Sequence, residues 1–413
     1  MDSFATADFS TPEAAMEALE RPLKLQTLTD TNVLRALLFL LHFGLVQIPH
    51  VCSVKGCKGQ LLFEEQYRQA DNSDSHKNPS VRYQTRCTHC GDRRAVVALG
   101  VLAFVRQNHW FAFCHFLFFV LCRIRWTQML KVMVRKHSLG ARGAKDALPK
   151  WLRYVQMAQR GYLKANSLLK IGGRSYTVVW DETSWGKDKG VSKTAQKPIG
   201  RSLPGRIKSR KPAQTIWNKG FKKRFKKSTP RKRGPKADSP TRWVWLAVLV
   251  GKGSQVFTHA NRLKRISFRL LPKKGDAKMG KPRGTEEISD TVKQCIAKGT
   301  KRAVTDCWRA SGAAAKRQKL GGDKHKVVNH KKEWRNADGF HTNDVESENN
   351  RIKNYLARPR YGRLPALKDD LLLYEYAFYV NVGDSITHLA DAMRHFANLP
   401  ALRPSYPAGI DGW

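Results

Sequence analysis

The stretch TEEISDTVKQCIAKGTKRAVTD, residues 285–306, predicts a helix followed by a short strand. Its first part has the pattern of a helix that ends at Gly299, since glycine favours helix termination. RAVTD, residues 302–306, then has the composition of a short buried strand, and KVVNH, residues 326–330, predicts another strand after a connecting helix. Strands that alternate with helices indicate a sheet with helices packed on its faces.

Upstream of this stretch, β-branched and aromatic residues predict further strands. They are SYTVVWDE (175–182), WVWLAVLV (243–250), SQVFTHA (254–260) and ISFRLL (266–271). Strands in a meander, followed by strand, helix, strand and helix, indicate a mixed sheet flanked by helices, an α/β (α+β) fold class. This is the order of elements of an RNase H-like fold.

The composition predicts a polyanionic partner. The chain has 413 residues, enough for two or three domains, and its hydrophobic content of 41% is compatible with a folded protein. Seventy-six basic residues outnumber 33 acidic ones, which gives a formal net charge of +43. This surplus exceeds what solubility alone favours. Nucleic acid, an acidic membrane surface or a heparin-like polymer would each suit the charge, so the motifs must choose among them.

The N-terminal segment and the longest apolar run bear on location. Only acidic charges precede Arg21, which is the wrong charge order for a secretory or mitochondrial leader. The apolar run at 109–122 contains His115 and is shorter than the ~20 residues that a bilayer span needs, so it predicts a buried core helix. We therefore expect an intracellular protein with no membrane partner, located in the nucleus of a eukaryotic host and otherwise in the cytoplasm or nucleoid.

Four cysteines have the spacing of metal ligands. CSVKGC supplies Cys52 and Cys57, CTHC supplies Cys87 and Cys90, and each pair has a glycine beside it for a tight turn. Two close pairs separated by a loop predict a zinc ribbon, with four unrelated buried thiols as the alternative and His76 and His89 as possible substitute ligands. The other cysteines lack paired spacing and are interpreted as small core hydrophobes; they are Cys114, Cys122, Cys295 and Cys307.

Two helical patterns follow the cysteines, at 110–137 and 147–159. The connecting segment SLGARGAKD contains Gly140 and Gly143. Two amphipathic helices joined in this way, in a basic context, suit either a helix-turn-helix for the DNA major groove or an ordinary helical hairpin.

A basic segment interrupts the strand pattern between Gly186 and Thr241. Residues 201–236 contain no acid, and their mutual repulsion predicts a mobile loop that contacts phosphates. Interleaved aromatic residues could stack on exposed bases, while the basic runs could equally serve as nuclear import signals or be merely solvated. The expected DNA contacts are Lys222, Lys223, Arg224, Lys226, Lys227, Arg231, Lys232 and Arg233.

Two aspartates are candidates for a metal site. Asp181 and Asp306 each follow a hydrophobic run and are expected at strand ends. Open α/β sheets place ligand sites at the carboxyl ends of strands, so these two acids and a third from a nearby helix would form an oxygen cage that suits Mg²⁺. Either aspartate alone would also suit a solvated strand end.

The stretch NDVESENNRIKNYL supplies the third acid. It predicts a helix with Asn343 as N-cap and with Val345 and Ile352 on a buried stripe. Glu346 and Lys353 are seven residues apart, about two turns, and therefore share a face beside that stripe. Glu346 also lies three residues after the N-cap, where it could close a capping box, and the spacing leaves both roles open.

These residues carry a resemblance to a known family. AVTDCW, KVVNHKKEW, and HTNDVE followed by a lysine seven residues beyond the glutamate resemble the C-terminal half of the ISXO2-like (Merlin group) DDE transposases. The resemblance extends to VVWDETSWGK, WVWLAVLV and LLLYEYAFYVNV, and it covers most of residues 175–382. An N-terminal zinc ribbon also fits this family.

The resemblance implies a transposase that binds element ends and performs metal-dependent cleavage and transfer of DNA strands. The partners would be terminal inverted repeats and target DNA, with a homo-oligomer assembled on them, and the cofactors Mg²⁺ or Mn²⁺ in addition to Zn²⁺ in the ribbon. The family's acidic triad and basic residue carry over to Asp181, Asp306, Glu346 and Lys353. Its lead-in carries over to His341, Thr342 and Asn343, of which His341 and Asn343 are expected to contact DNA.

Two features depart from the family pattern. The basic segment at 186–241 is longer than the family's first hairpin, and Asn349 stands where an aromatic residue is usual. A domesticated, catalytically inactive zinc-containing DNA-binding protein is therefore the alternative. An RNA-binding protein would suit the charge but would leave the order of the acids unexplained.

The predicted organisation has five parts. They are an N-terminal helical segment (1–45), the zinc ribbon (46–100), a helical region (101–170), the RNase H-like catalytic domain with its basic insertion (171–382) and a C-terminal tail (383–413).

Overall fold

The fold is taken from a computed structural model of the chain. The structure describes residues 11–21, 31–68, 80–122, 124, 126–137, 141–187, 241–250, 265–272, 281, 283–320, 322–329, 335–336, 338–357 and 371–397. The predicted strand at 254–260, the basic residues at 201–236 and His76 lie outside the described residues.

Five helices build the first part of the chain. Thr11 and Thr31 begin the first two, because their hydroxyls accept hydrogen bonds from backbone N–H groups three residues later, at 3.1 Å in both cases. The apolar faces of these helices form one core, in which Phe39, Phe113 and Phe116 are at most 1% exposed. The helices are α1 (Pro12–Glu20), α2 (Asn32–His42), α3 (Trp110–Leu121), α4 (Trp126–Lys136) and α5 (Ala141–Ala165).

The helical region at 110–165 differs from the prediction in its boundaries. The pattern at 110–137 is two helices, α3 and α4, and Gly143 lies inside α5. No glycine or proline marks the break after Leu121, so periodicity alone did not show it. Nearly every residue of α3 is buried, as predicted, and among the described residues no helix is long and apolar enough to cross a membrane.

The cysteine region is built from short antiparallel strands. β2 pairs with β3 and β3 with β4, while β1 pairs separately with β5. Cys87 ends β3, and Cys90 follows in the turn before β4. The strands are β1 (Val46–Gln47), β2 (Leu61–Arg68), β3 (Ser80–Cys87), β4 (Arg93–Ala95) and β5 (Val97–Ala98).

A five-stranded mixed sheet forms the centre of the second half, so the chain is a mixed α/β protein as predicted. The strand order is β10-β9-β6-β7-β8. β6, β7 and β8 form an antiparallel meander, and β9 and β10 add to the other side of β6 in parallel. The strands are β6 (Thr177–Lys187), β7 (Thr241–Val250), β8 (Ile266–Leu270), β9 (Arg302–Asp306) and β10 (His325–Val328).

Helices cover both faces of this sheet. α6 and α7 pack on a face whose core includes Trp180 and Trp245, both 0% exposed. α8 and α9 contribute to the core on the other face, where Val179 and Val304 are buried. The helices are α6 (Thr285–Cys295), α7 (Arg309–Arg317), α8 (Asn343–Ala357), α9 (Leu371–Asn381) and α10 (Ile386–Ala397).

The end of helix α6 and the C-terminal segment of the chain differ from the prediction. α6 ends at Cys295 rather than at Gly299, because Ile296 leaves the helix to bridge Ile171 and Gly299 forms a turn with φ +74°. The segment expected as a C-terminal tail, 383–413, contains α10, whose Leu389 and other apolar residues are buried in the core of the first five helices.

Candidate functional site

The sheet directs Asp181 and Asp306 to one face. Trp180 pairs with Thr305 across the parallel strands β6 and β9, so the two aspartates occupy the next position on neighbouring strands. Side chains alternate along a strand. The aspartates therefore share the face of Val179 and Val304, which is the face covered by α8.

Asp181 does not close β6 as predicted. The strand continues to Lys187, because β7 supplies hydrogen-bond partners on the other side, and Asp181 lies where pairing with β9 ends. Asp306 is the last residue of β9, as expected.

The carboxylates are held by nearby donors. Asp181 Oδ1 accepts the backbone N–H of Glu182 at 2.8 Å, and Asp306 Oδ1 accepts the backbone N–H of Trp308 at 3.0 Å. Burial, together with the negative charges of Glu182 and Asp306, raises the pKa of Asp181 to about 7. The Asp181 carboxylate therefore lies close to two other carboxylates.

Helix α8 is tied to this acid pair by Asn349. Its Nδ2 donates to Asp181 Oδ2 at 3.3 Å, and the side chain is buried. The predicted stripe is confirmed where it is described, because Val345 and Ile352 are buried in the core beneath the helix. Asn349 was singled out in the sequence only as a departure from the family pattern, and its amide suits a contact with an acid as an aromatic ring would not.

Glu346 and Lys353 flank Asn349 on the same helical face and both are exposed. The prediction of Asn343 as N-cap is wrong by one residue, because helix α8 begins at Asn343 and Thr342 precedes it. Thr342 accepts the backbone N–H of Glu346 through its carbonyl oxygen at 3.1 Å and donates from Oγ1 to Glu346 Oε1 at 2.8 Å. Among the described residues, the carboxylates of Asp181, Asp306 and Glu346 do not form a close three-ligand group. The structure thus brings the two aspartates together and leaves Glu346 at the edge of the site.

A second buried acid lies behind the pair and was not identified from the sequence. Glu182 points to the opposite face of the sheet, where Arg283 Nη2 donates to its Oε2 at 3.1 Å and Ser311 Oγ donates to its Oε1 at 2.9 Å. Burial raises the pKa of Glu182, while the charge of Arg283 lowers it. Only the acidic dipeptide at 181–182 could have signalled this residue.

The four predicted cysteines converge. The sulfur atoms of Cys52, Cys57, Cys87 and Cys90 all lie within 4.8 Å of one another. Two Sγ–Sγ distances, from Cys52 to Cys90 and from Cys57 to Cys87, are 3.6 Å. A tetrahedral zinc ion with Zn–S bonds of about 2.3 Å separates its sulfurs by about 3.8 Å. The cluster could therefore hold a metal such as zinc, and the alternative of four unrelated thiols is wrong.

Backbone N–H groups favour the thiolate form of one of these cysteines, Cys87. The N–H groups of Cys90 and His89 donate to Cys87 Sγ at 3.5 and 3.4 Å and lower the pKa of Cys87 to about 6. His89 contributes its backbone, not its ring, since the close group consists of cysteines alone. Gly59 N–H donates to Cys57 Sγ at 3.4 Å.

The remaining predicted residues are less informative. His341 and Asn343 are half-buried at the start of α8. The eight basic residues expected to contact DNA lie outside the described residues. Of the four cysteines expected in cores, Cys114 and Cys295 are buried and Cys122 is half-buried. Cys307 is exposed, because it follows Asp306 at the end of β9.

Comparison with known proteins identifies no relative of the chain. No family model, curated protein or solved structure matches the chain.

Proposed function

We propose that the protein is a DNA transposase of the ISXO2-like (Merlin) type, with an RNase H-like catalytic domain. The strand order and directions support the fold, because a three-stranded antiparallel meander extended by two parallel strands beside its first strand is the arrangement of RNase H-like sheets. Residues 46–100 would form the zinc ribbon, supported by the four convergent cysteines on short antiparallel strands.

One observation carries the proposal. Asp181 and Asp306 occupy neighbouring positions on adjacent parallel strands, and α8 is attached to the first of them through Asn349. This juxtaposition unites three segments that are far apart in the chain and that each resemble part of the transposase motif. Asp306 also lies at the carboxyl end of β9, and Asp181 lies where β6 stops pairing with β9, which supports a ligand site at this edge because open α/β sheets bind ligands at the carboxyl ends of strands.

The donor set suits a divalent cation. Within the described part of the chain, neither Asp181 nor Asp306 forms an ion pair, whereas the neighbouring Glu182 pairs with Arg283. Asp181, Asp306 and Glu346 would hold Mg²⁺ or Mn²⁺, whose oxygen-ligand preference they satisfy. When bound, the metal would lower the pKa of the attacking water and neutralise charge on the phosphate.

The protein's own residues would orient the reaction. Asn349 and the backbone N–H of Glu182 fix the carboxylate of Asp181, and the N–H of Trp308 fixes that of Asp306. Glu346 lies one turn from Asn349, at about 5–6 Å between Cβ atoms, so a change of rotamer would bring its carboxylate towards the pair. Lys353 would contact the DNA phosphate from the same helical face.

The net positive charge of the chain would attract DNA independently of the DNA sequence. Phosphate contacts release counterions and supply affinity, while other residues recognise the terminal repeats. The proposed partners are terminal inverted repeats and target DNA, bound by a homo-oligomer, and the proposed location is the nucleus of a eukaryotic host or otherwise the cytoplasm or nucleoid.

The test is cleavage of a duplex that carries the inverted repeats flanking the gene. Asp306→Asn and Glu346→Gln should abolish Mg²⁺- or Mn²⁺-dependent cleavage and strand transfer while DNA binding stays within about threefold of wild type, because a neutral amide is a poor metal ligand. Glu348→Gln is the matched control on the same helix and should keep most of the activity. Near-normal cleavage by either Asp306→Asn or Glu346→Gln, beside an active wild type, would refute the triad.

A second candidate is a domesticated DNA-binding protein in which the acids no longer act. The exposed position of Glu346, outside a close ligand group, favours it. This protein would bind DNA through its basic segment and cysteine region yet show no metal-dependent nicking with any repeat-bearing duplex.

A further inference from the structure

An exposed tryptophan lies beside the candidate acids. Trp308 is two residues beyond Asp306, and its backbone N–H donates to the Asp306 carboxylate at 3.0 Å. It is 43% exposed, and among the tryptophans whose side chains the structure describes it is the only one on the surface. Exposure of a large aromatic ring at this position requires an explanation, because nearly all other described tryptophans are core residues.

The ring is held in place by a stack rather than left loose. The guanidinium of Arg283 lies 4.4 Å from the ring centroid of Trp308 and 4.2 Å from that of Trp243, so it is layered between two indoles. Arg283 is anchored in turn by its ion pair with the buried Glu182. One face of Trp308 is therefore covered by a fixed cation, and the exposed remainder of the ring has a fixed orientation.

We propose that Trp308 is a stacking platform for an unpaired nucleobase next to the phosphate that the acid pair addresses. The inference rests on the proposed function for the position of that phosphate. An aromatic ring on a rigid support accepts any base, since every base has a π-face. The link from Trp308 through its own backbone N–H to Asp306 couples the position of the base to the position of the catalytic carboxylate.

The chemistry of the surroundings favours a nucleotide over an apolar protein segment. The chain has a net charge of +43, and Arg309 directly after Trp308 is exposed. A single ring flanked by basic side chains offers little apolar area to a protein partner, whereas a nucleotide supplies both the base for the ring and the phosphate for the cations.

The experiment compares three probes with the full chain, without added magnesium and at roughly 0.3 M salt to weaken non-specific phosphate contacts. The probes are a single-stranded oligonucleotide, the same backbone with abasic residues, and a duplex. Trp308→Ala should weaken binding of the base-bearing single strand by about tenfold, within the range for loss of one stacked base. Binding of the abasic strand and the duplex should change less than twofold, and Trp308→Phe should stay within about threefold of wild type on every probe.

Two results would overturn the inference. Equal losses on the base-bearing and abasic strands would assign Trp308 a purely structural role in holding Arg283 and Asp306, and no loss on any strand would mean that no base stacks there. Failure of the proposed function has a different signature. In that case repeat-bearing DNA would not be cleaved by the wild type in Mg²⁺, while the difference between Trp308→Ala and wild type on the base-bearing strand would persist.

Discussion

At the scale of single residues, the positions of Asp181 and Asp306 could be predicted from the sequence, but the residues that contact them could not. Asp181 and Asp306 were candidates from their positions after apolar runs, and strand alternation explains why both reach the face of α8. The roles of Asn349, Glu182 and Arg283 were not predictable, because each depends on a contact between segments more than a hundred residues apart or on which face of the sheet a side chain occupies.

The raised pKa of Asp181 gives a stability prediction. Its value of about 7 lies above the ordinary 3.8, so between these pH values the native state retains a proton that the unfolded state has released. The native state therefore loses stability as pH rises from about 4 to 7, by an amount on the order of 1–4 kcal/mol. Asp181→Asn removes this cost and should melt at a higher temperature than wild type at pH 8 without divalent metal, although it should be inactive in cleavage.

Calorimetric melts of both proteins at pH 5 and pH 8 check this. At pH 5 the two should melt at closer temperatures, and Mg²⁺ should stabilise only wild type at pH 8. If Asp181→Asn is less stable than wild type at pH 8, the carboxylate is a structural group and the crowding argument is wrong.

Gly59 is a residue-scale requirement of the cysteine cluster. A Cβ at this position would lie 2.4 Å from Cys87 Sγ and 2.7 Å from the Cβ of His89. Both atoms are close to the backbone of their residues, so neither could move aside without a shift of that backbone. Gly59→Ala should therefore displace the thiolate and reduce zinc content well below one ion per chain. Metal analysis after dialysis measures the effect.

Gly91→Ala is the matched control. Gly91 has a φ of +72° but no heavy atom near its would-be Cβ, so alanine there adds backbone strain of roughly 1 kcal/mol without blocking a ligand. This variant should retain zinc with a modest loss of stability. Equal zinc content in the two variants would contradict the steric argument.

At the scale of elements, sequence patterns predicted types well and ends poorly. The strands at 243–250 and 302–306 and the helix at 343–357 were predicted because their residue types and spacing are local properties. The end of α6 and the break between α3 and α4 depend on tertiary partners, such as the bridge from Ile296 to Ile171, that no local pattern contains. α10 was not predicted, because its apolar residues are buried against a core built by the first third of the chain, and no local pattern contains that contact.

Helix α8 is held in place partly by Glu348, which lies on a different face of the helix from Glu346 and Lys353. Glu348 is 2% exposed, accepts a hydrogen bond from the hydroxyl of Tyr376 on α9, and pairs with Arg351 at 3.3 Å. Glu348→Gln keeps an acceptor oxygen and should cost about 1 kcal/mol with little change in cleavage. Glu348→Ala removes both contacts and should cost about 3 kcal/mol.

Denaturant unfolding and cleavage, measured on the same preparations, separate the effect on stability from the effect on cleavage. Activity should fall for Glu348→Ala in proportion to the unfolded fraction and recover on cooling, because the residue holds the helix and not the metal. A chemical defect in the fully folded Glu348→Gln protein would instead add Glu348 to the catalytic acids.

At the scale of the whole molecule, the acid-free basic segment at 201–236 is separable from the strands that flank it. The sheet pairs Lys187 of β6 directly with Thr241 of β7, although the basic segment separates them in the chain. Facing residues of an antiparallel pair lie about 5 Å apart, which a short connection spans easily. The composition of the segment predicts that it stays outside the core, because a segment without acids repels itself.

Deleting residues 201–236 should therefore leave the fold intact and weaken DNA binding. Residues 188–200 and 237–240 remain to connect β6 to β7, so the thermal midpoint should change by only a few degrees, since longer loops add little closure entropy. Each phosphate contact contributes about −0.9 to the slope of log K against log salt concentration, so loss of several contacts should flatten that slope by several units.

A full-length control in which Lys222, Lys223, Arg224, Lys226, Lys227, Arg231, Lys232 and Arg233 are replaced by glutamine should reproduce the flattening, because charge and not length supplies the affinity. If the deletion keeps the wild-type slope, the segment does not bind DNA and the phosphate contacts must come from the cysteine region and helices. If only the glutamine control keeps the wild-type slope, the contribution of the segment is steric rather than electrostatic.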